Sequence, residues 1–253
     1  MTSLSRMLSV LNLFSAEQPK LDAEQISDAI GCSTPTGYRY VKELMQAGLL
    51  QRLNGGSYAL GPRIALLDYI IRSSDPLLEI SIAIMRELVE KTDCRCILSR
   101  MDGPVFLDLH HEGVPQDLQL TYGRGRPRPL FKGSAPKVII ANLPARRLRS
   151  LYDQHVEEIG QIDLGTTWKD FQETMSRIRR EGFYISNGEL EAGISSISVP
   201  VKLSAKDSYA ALALVTSTTR FELIDQNKLL ELMRQASQQI TERAAAAGVL
   251  EAP

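Results

Sequence analysis

The sequence predicts an α+β chain of two domains, and three observations carry that expectation. Short capped helices and a strand–turn–strand pattern fill the first sixty residues, and a turn cluster, Ser73-Ser74-Asp75-Pro76, then interrupts the chain. Beyond it, period-two runs alternate with amphipathic helical stretches. The 253 residues are 43% hydrophobic and 23% charged, a globular composition that argues against disorder. Apolar runs such as Val138-Ile139-Ile140-Ala141 stop far short of the roughly 20 residues a bilayer span requires. The first residues carry no secretory pattern, and three cysteines cannot form a disulfide framework. The expected setting is the cytoplasm, with no membrane partner.

Leu4, Leu8, Leu11 and Phe14, with Met7 beside them, fall on one helical face, so Ser3 to Ser15 reads as an amphipathic helix. Asp22-Ala23-Glu24-Gln25 is a capping-box pattern. It opens a short helix carrying Ile26, Ala29 and Ile30, which Gly31 stops. Thr34-Pro35 supplies an N-cap and a proline for the next helix, which buries Val41, Leu44 and Met45, keeps Tyr40 at its edge and ends at Gly48. Leu49 to Leu53 and Ser57 to Leu60 read as strands joined by Asn54-Gly55-Gly56, a hairpin turn. Two helices at this spacing followed by a β-hairpin make a winged helix-turn-helix over residues 1–61.

A net charge of −1 carries no nucleic-acid signature, but the charge is uneven. Between Ser33 and Arg63, Arg39, Lys42, Arg52 and Arg63 stand against Glu43 alone. The second helix would turn Thr34, Thr36, Tyr38, Arg39 and Lys42 away from its core. Hydroxyls and main-chain N–H groups there can take phosphate oxygens, while Thr36, Tyr38 and Arg39 can reach base edges. Arg52 on the wing suits a phosphate or the minor groove. Double-stranded DNA is the expected partner; a helix pair that docks onto protein, with solvated bases, is the alternative.

Gly61-Pro62 breaks the wing, and a linker helix within residues 62–75 carries Ile64, Leu67 and Ile71 on one side. Packing against a partner chain or within the chain explains that side equally well. In the second domain, 76–253, a helix runs from Pro76 to about Lys91. Strands follow at Cys94 to Met101 and Val105 to His111, joined at Asp102-Gly103-Pro104. Val105, Leu107 and Leu109 alternate with Phe106, Asp108 and His110, the pattern of a sheet covered on one face. A third strand is expected at Leu118 to Tyr122. Lys132-Gly133-Ser134-Ala135-Pro136 leads into a helix through Asn142, and further helices are expected from Pro144 to His155 and after Thr166-Thr167 with Trp168, Phe171, Met175 and Ile178 on one stripe. Phe183 to Ser186, Ile194 to Val201 and Tyr209 to Thr216 complete the strands, and a last helix spans Phe221 to about Ala247.

The order of these elements resembles the IclR family of bacterial transcription regulators over nearly the whole chain. The segments that carry the resemblance are Ser5-Arg6 to Leu13, Ile26-Ser27 to Leu50 and Tyr58-Ala59-Leu60-Gly61. Further on they are Arg128-Pro129-Leu130 to Ala141 and Gly182-Phe183 to Val201, with its Glu189…Gly193…Pro200-Val201 skeleton. The resemblance implies a winged helix joined to a GAF-like effector domain, a dimer or tetramer, and (pseudo)palindromic operators. It also implies a ligand lying against the helix that begins near Ser134-Ala135, with Leu130 and Gly133 beside it. Ser186 and Ser196 would line that site, and the strand of Ala213 and Val215 would close it. A helix N-terminus favours an anion, and the bases Arg124, Arg126, Arg128, Lys132 and Lys137, with no acid among them, can steer an acidic metabolite or pair with its carboxylate. Where many members have Gly-Lys in this helix, the chain has Pro136-Lys137. Where some binders of small acids have an acid, a Cys and two Ser, it has Ser186, Ser196, Ala213 and Val215. That more apolar wall suits a larger or aromatic effector.

Enzyme readings find little support. Lys132-Gly133-Ser134-Ala135-Pro136 is not a Gly-x-Ser-x-Gly elbow, and no Walker loop occurs. His110 and His111 are adjacent and should face opposite ways, while Asp108 and His110 share a face and leave a conceivable two-ligand site. Cys94 and Cys96 read as packed thiols, and so does Cys32. No cofactor and no metal is expected. A small-molecule sensor whose helix pair contacts protein, or a hydrolase using Ser134, remain the alternatives to a ligand-responsive DNA-binding regulator.

Overall fold

Thr2 caps helix α1 (Ser3–Ser9), and a tighter 3-10 turn, Val10–Leu13, follows it, so the helix expected to reach Ser15 ends early. The tightening turns Val10 into the core and leaves Leu4 and Leu8 exposed. The computed structural model describes residues 2–103, 105–113, 120, 123, 126, 128–162, 164–203 and 209–248. Its chain divides into two compact units, 1–75 and 76–253.

In the first unit, Asp22 and Gln25 exchange side-chain and backbone bonds, closing the expected capping box of α2 (Ala23–Ala29). The cap of α3 (Thr34–Gln46) is Ser33 rather than Thr34. The Ser33 carbonyl already accepts from the Thr36 and Gly37 N–H groups, which makes Thr34 the first helical residue. Strands β1 (Leu50–Arg52) and β2 (Tyr58–Leu60) pair antiparallel, with Leu50 opposite Leu60. Gly55 and Gly56 take the positive φ angles of the turn, at 87° and 85°. Leu21 adds a third short bridge by exchanging backbone bonds with Tyr58, a pairing with no local sequence signal. Tyr40 is buried rather than at an edge, and its hydroxyl lies 2.8 Å from that of Ser3. Val10, Ile26, Val41, Leu44, Leu50 and Tyr58 pack together as the core. Helix α4 (Pro62–Ser74) buries none of its residues.

The second unit contains helices α5 (Pro76–Thr92), α6 (Ser134–Ala141), α7 (Ala145–Gln154), α8 (Val156–Gly160), α9 (Trp168–Glu181), α10 (Thr218–Leu223) and α11 (Gln226–Ala246). Its strands are β3 (Arg95–Asp102), β4 (Val105–Glu112), β5 (Tyr184–Asn187), β6 (Ile194–Lys202) and β7 (Tyr209–Ser217), ordered β4-β3-β7-β6-β5 and antiparallel throughout. Asp225 caps α11, so the expected last helix is two helices with a break at Ile224. The strand expected at Leu118 to Tyr122 lies outside the described residues except for Leu120, which is not in a strand.

Alternation decides how this sheet is covered. One face turns Leu98, Ile197, Val199, Leu212 and Leu214 toward α5 and α11. The other presents Ala211, Ala213 and the buried Ser99 and Ser198, and α6, all eight of whose residues are buried, lies against it. Both faces are thus covered, against the one-sided reading of β4. Phe106 and Asp108 are its buried side chains, and Val105 is exposed.

Close approach rules the helix pair of the first unit. A Cβ on Gly37 would stand 1.9 Å from Ser27 Oγ, whose hydroxyl donates to the Ala23 carbonyl at 2.6 Å. Gly37→Ala should therefore destabilise the first unit by about 1–3 kcal/mol despite its better helix propensity. Ser27→Ala should recover part of that loss. Urea unfolding midpoints of the single and double variants check the pairing.

Candidate functional site

The DNA-facing candidates lie where the helix pattern places them. Thr34, Tyr38 and Lys42 recur one turn apart on the exposed side of α3, Arg39 is exposed beside them, and Thr36 is half-buried with its hydroxyl 3.0 Å from that of Ser33. The Arg39 guanidinium lies over the Tyr40 ring at 5.7 Å. Arg52 is exposed on β1.

In the second unit the decisive local feature is a β-bulge. Leu98 pairs with His110 and Ser99 with Asp108, so Leu109 has no partner of its own. The extra residue shifts the strand period by one, and Asp108 meets His111 rather than sharing a side with His110. His111 Nε2 lies 3.0 Å from Asp108 Oδ2, while His110 Nε2 pairs with Glu112 at 3.0 Å. The two-ligand arrangement of Asp108 and His110 is therefore not formed. Among the described residues no group of three or more His, Cys, Asp or Glu is placed to hold a metal ion.

Asp108 is buried and receives three donors. Ser99 Oγ donates at 2.7 Å, and Arg128 Nη1 reaches both carboxylate oxygens at 2.9 and 3.1 Å. Burial by itself would raise the Asp108 carboxyl. The His111 hydrogen bond, the Arg128 charge and the Ser99 hydroxyl outweigh it and hold the group below the usual carboxylate value. Arg128, expected as one of a run of loop bases, has a side chain only 9% exposed and lies over the Phe106 ring at 5.4 Å. Arg124 lies outside the described residues.

A cavity opens beside this pair. It is bounded by Gly133, Ser186, Ser196 and Val215 from the expected set, with Asp108, Arg128, Ile97, Leu120, Leu190, Glu191 and Ile194 in addition. Its empty space is about 400 Å³ with the mouth included, but only about 30 Å³ admits the centre of a water molecule. The other expected residues stand behind the wall. Leu130, Ala135 and Ala213 belong to the packed core, and the Ser134 hydroxyl sits 2.7 Å from those of Ser196 and Ser198. Neither serine is a base, so the trio offers no group to take a proton from Ser134.

One donor of the anion seat expected at the start of α6, the Gly133 N–H, is taken from within the chain. The Gly133 N–H donates to Glu189 Oε2 at 3.2 Å, and the same carboxylate pairs with the buried Lys137 and accepts from the Tyr184 hydroxyl at 3.0 Å. The substituted Pro136-Lys137 thus keeps a buried lysine with a fixed counter-charge. Cys94 and Cys96 are buried, and burial pushes both thiols up. Cys32 is half-buried rather than packed away.

Two family models cover the chain. Residues 3–54 match the IclR helix-turn-helix domain, and residues 71–242 match the bacterial transcriptional regulator IclR C-terminal domain. The chain belongs to the IclR family. It is a DNA-binding transcription regulator with a C-terminal IclR effector domain. Among its relatives, the HTH-type transcriptional regulator KipR of Bacillus subtilis is 23% identical over 94% of this chain and 95% of that protein. The p-hydroxybenzoate hydroxylase transcriptional activator of Acinetobacter baylyi is 25% identical over 94% of this chain and 89% of that protein. The crystal structure of an IclR homologue from Microbacterium hydrocarbonoxydans, complexed with 4-hydroxybenzoate, has the same fold. Its TM-score is 0.79 at 20% identity, over 97% of this chain and 100% of that one. Among the described residues of this IclR-family regulator no helix is long and apolar enough to cross a membrane.

Because the Asp108 carboxyl is held below its unfolded value, its contribution to stability is complete above about pH 4 and is lost as pH falls through the lowered folded value. Asp108→Asn, which leaves Arg128 without its counter-charge, should cost about 3 kcal/mol at pH 7. The gap between the two proteins should persist from pH 5 to 8 and shrink below about pH 4. Urea unfolding across that range measures it.

Proposed function

We propose that this regulator grips an operator with Thr34, Thr36, Tyr38, Arg39 and Lys42 of α3 and with Arg52 of the wing, and that the cavity beside α6 receives a small carboxylate-bearing metabolite. The observation that carries the second half is a buried arginine on the wall of a mostly closed cavity, in a chain whose other unit is a winged helix. Aromatic acids are the first class to consider. The Microbacterium homologue is complexed with 4-hydroxybenzoate, and the Acinetobacter relative is named for activating p-hydroxybenzoate hydroxylase.

An aromatic ring needs a space on the order of 150 Å³, several times what the cavity encloses as it stands. Entry would therefore move Leu190 and Glu191, in the segment between β5 and β6. A ligand that favours the opened arrangement shifts the protein toward it, and operator affinity changes only as far as that arrangement alters the spacing of paired winged helices. Pairing is supported by α4, on which Leu66, Tyr69, Ile70 and Ile71 are all more than half exposed, and by Leu4 and Leu8 of α1. A second copy is the occupant such a face suits, because a twofold operator demands two readers.

Fluorescence anisotropy on the chain's own upstream DNA tests the reading. Arg39→Ala should weaken binding by about 1–3 kcal/mol if Arg39 meets a base. Equal affinity across a salt series would remove Arg39 from the interface, and no binding by the wild type would favour a protein-docking helix pair. In sedimentation, Ile70→Glu should shift the protein toward monomer; an unchanged oligomer would take α4 out of the subunit contact.

A further inference from the structure

The guanidinium of Arg128 is only half occupied. Its Nη1 is held by both oxygens of Asp108. Its Nε is buried and has no hydrogen-bond partner. Nε and Nη2 form the edge of a guanidinium that matches the two oxygens of a carboxylate. A buried donor left without a partner costs stability, so an edge kept in this state is a feature in want of an acceptor.

Neighbouring residues keep that edge in place. Ser99 and His111 fix Asp108, Asp108 fixes Nη1, and the Phe106 ring lies beneath the guanidinium. Both Arg128 and Gly133 bound the cavity, and a Cβ on Gly133 would stand 3.3 Å from Nη2, so the glycine keeps the approach to this edge clear. The Gly133 N–H is not the alternative seat, because Glu189 takes it.

Resting on the effector reading above, we infer that the Nε and Nη2 edge of Arg128 is the carboxylate anchor of the cavity, that Asp108 positions it, and that the site selects planar monocarboxylates over their neutral amides. Asp108 takes only Nη1 and leaves one edge of Arg128, so a single carboxylate is the geometric complement.

Calorimetry on the full chain with benzoate and benzamide tests this. The wild type should prefer the acid. Arg128→Gln should lower benzoate affinity roughly ten- to hundredfold and erase the preference, with benzamide little changed. Arg128→Lys keeps a charge for Asp108 but has no planar fork, so it should likewise lose the acid preference. Ile194→Trp, which adds bulk at the cavity wall, should abolish both probes. If both Arg128 variants bind benzoate as the wild type does while Ile194→Trp does not, the anchor is overturned and the effector cavity stands. If the wild type binds neither probe at millimolar concentration, or Ile194→Trp binds both normally, the cavity reading and the anchor fall together.

Discussion

The second unit depends on a difference in side-chain size between the two faces of one sheet. Leucine, isoleucine and valine on one side pack under α5 and α11, while alanine and serine on the other let α6 lie close enough to bury every residue it has. A short helix pressed this near to the strands brings Gly133 to the sheet surface. Where β3, β4, β6 and β7 carry side chains past the end of that helix, close packing stops and a cavity begins. Larger residues at Ala211 or Ala213 would lift α6 and remove the geometry of the site along with it.

Two buried cations border that region, and each is matched by a carboxylate of the chain itself. Lys137 is held by Glu189 and Tyr184, and Arg128 by Asp108. Such pairs add little net stability, since desolvation of both charges offsets their attraction. Their physical consequence is position: each charge is confined to one place in a medium where electrostatic interactions act strongly. Lys137 meets a carboxylate and a phenol, whereas Arg128 meets Asp108 through Nη1 and leaves its buried Nε without a partner.

The first unit is organised differently. Its core is small, and its helices are set by the capping box of α2 and the contact of Gly37 with Ser27 rather than by a large buried area. The side of α3 that bears Tyr38, Arg39 and Lys42 is consequently free of any packing task. The apolar residues of α1 and α4 that remain in water belong to no core of their own.

The sequence by itself determined the elements whose signals are local. The Asp22 and Thr167 caps, the Gly55-Gly56 turn, the exposed side of α3 and the antiparallel strands were legible because capping, turn geometry and periodicity act within a few residues. Four of the eight expected effector residues do bound the cavity; Leu130, Ser134, Ala135 and Ala213 are one layer behind it. What local signals do not carry, the tertiary structure decided. The bulge at Leu109 exchanged His110 for His111 beside Asp108, because strand period is counted against a partner strand that is distant in sequence. Arg128 read only as one base of a run facing an acidic metabolite; its own partners, Asp108, twenty residues away, and the Phe106 ring, were set by the fold. The charge at the start of α6 came from Glu189, more than fifty residues on. Periodicity records which side of an element is apolar, whereas the partner of a buried charge is set by the folded path of the chain.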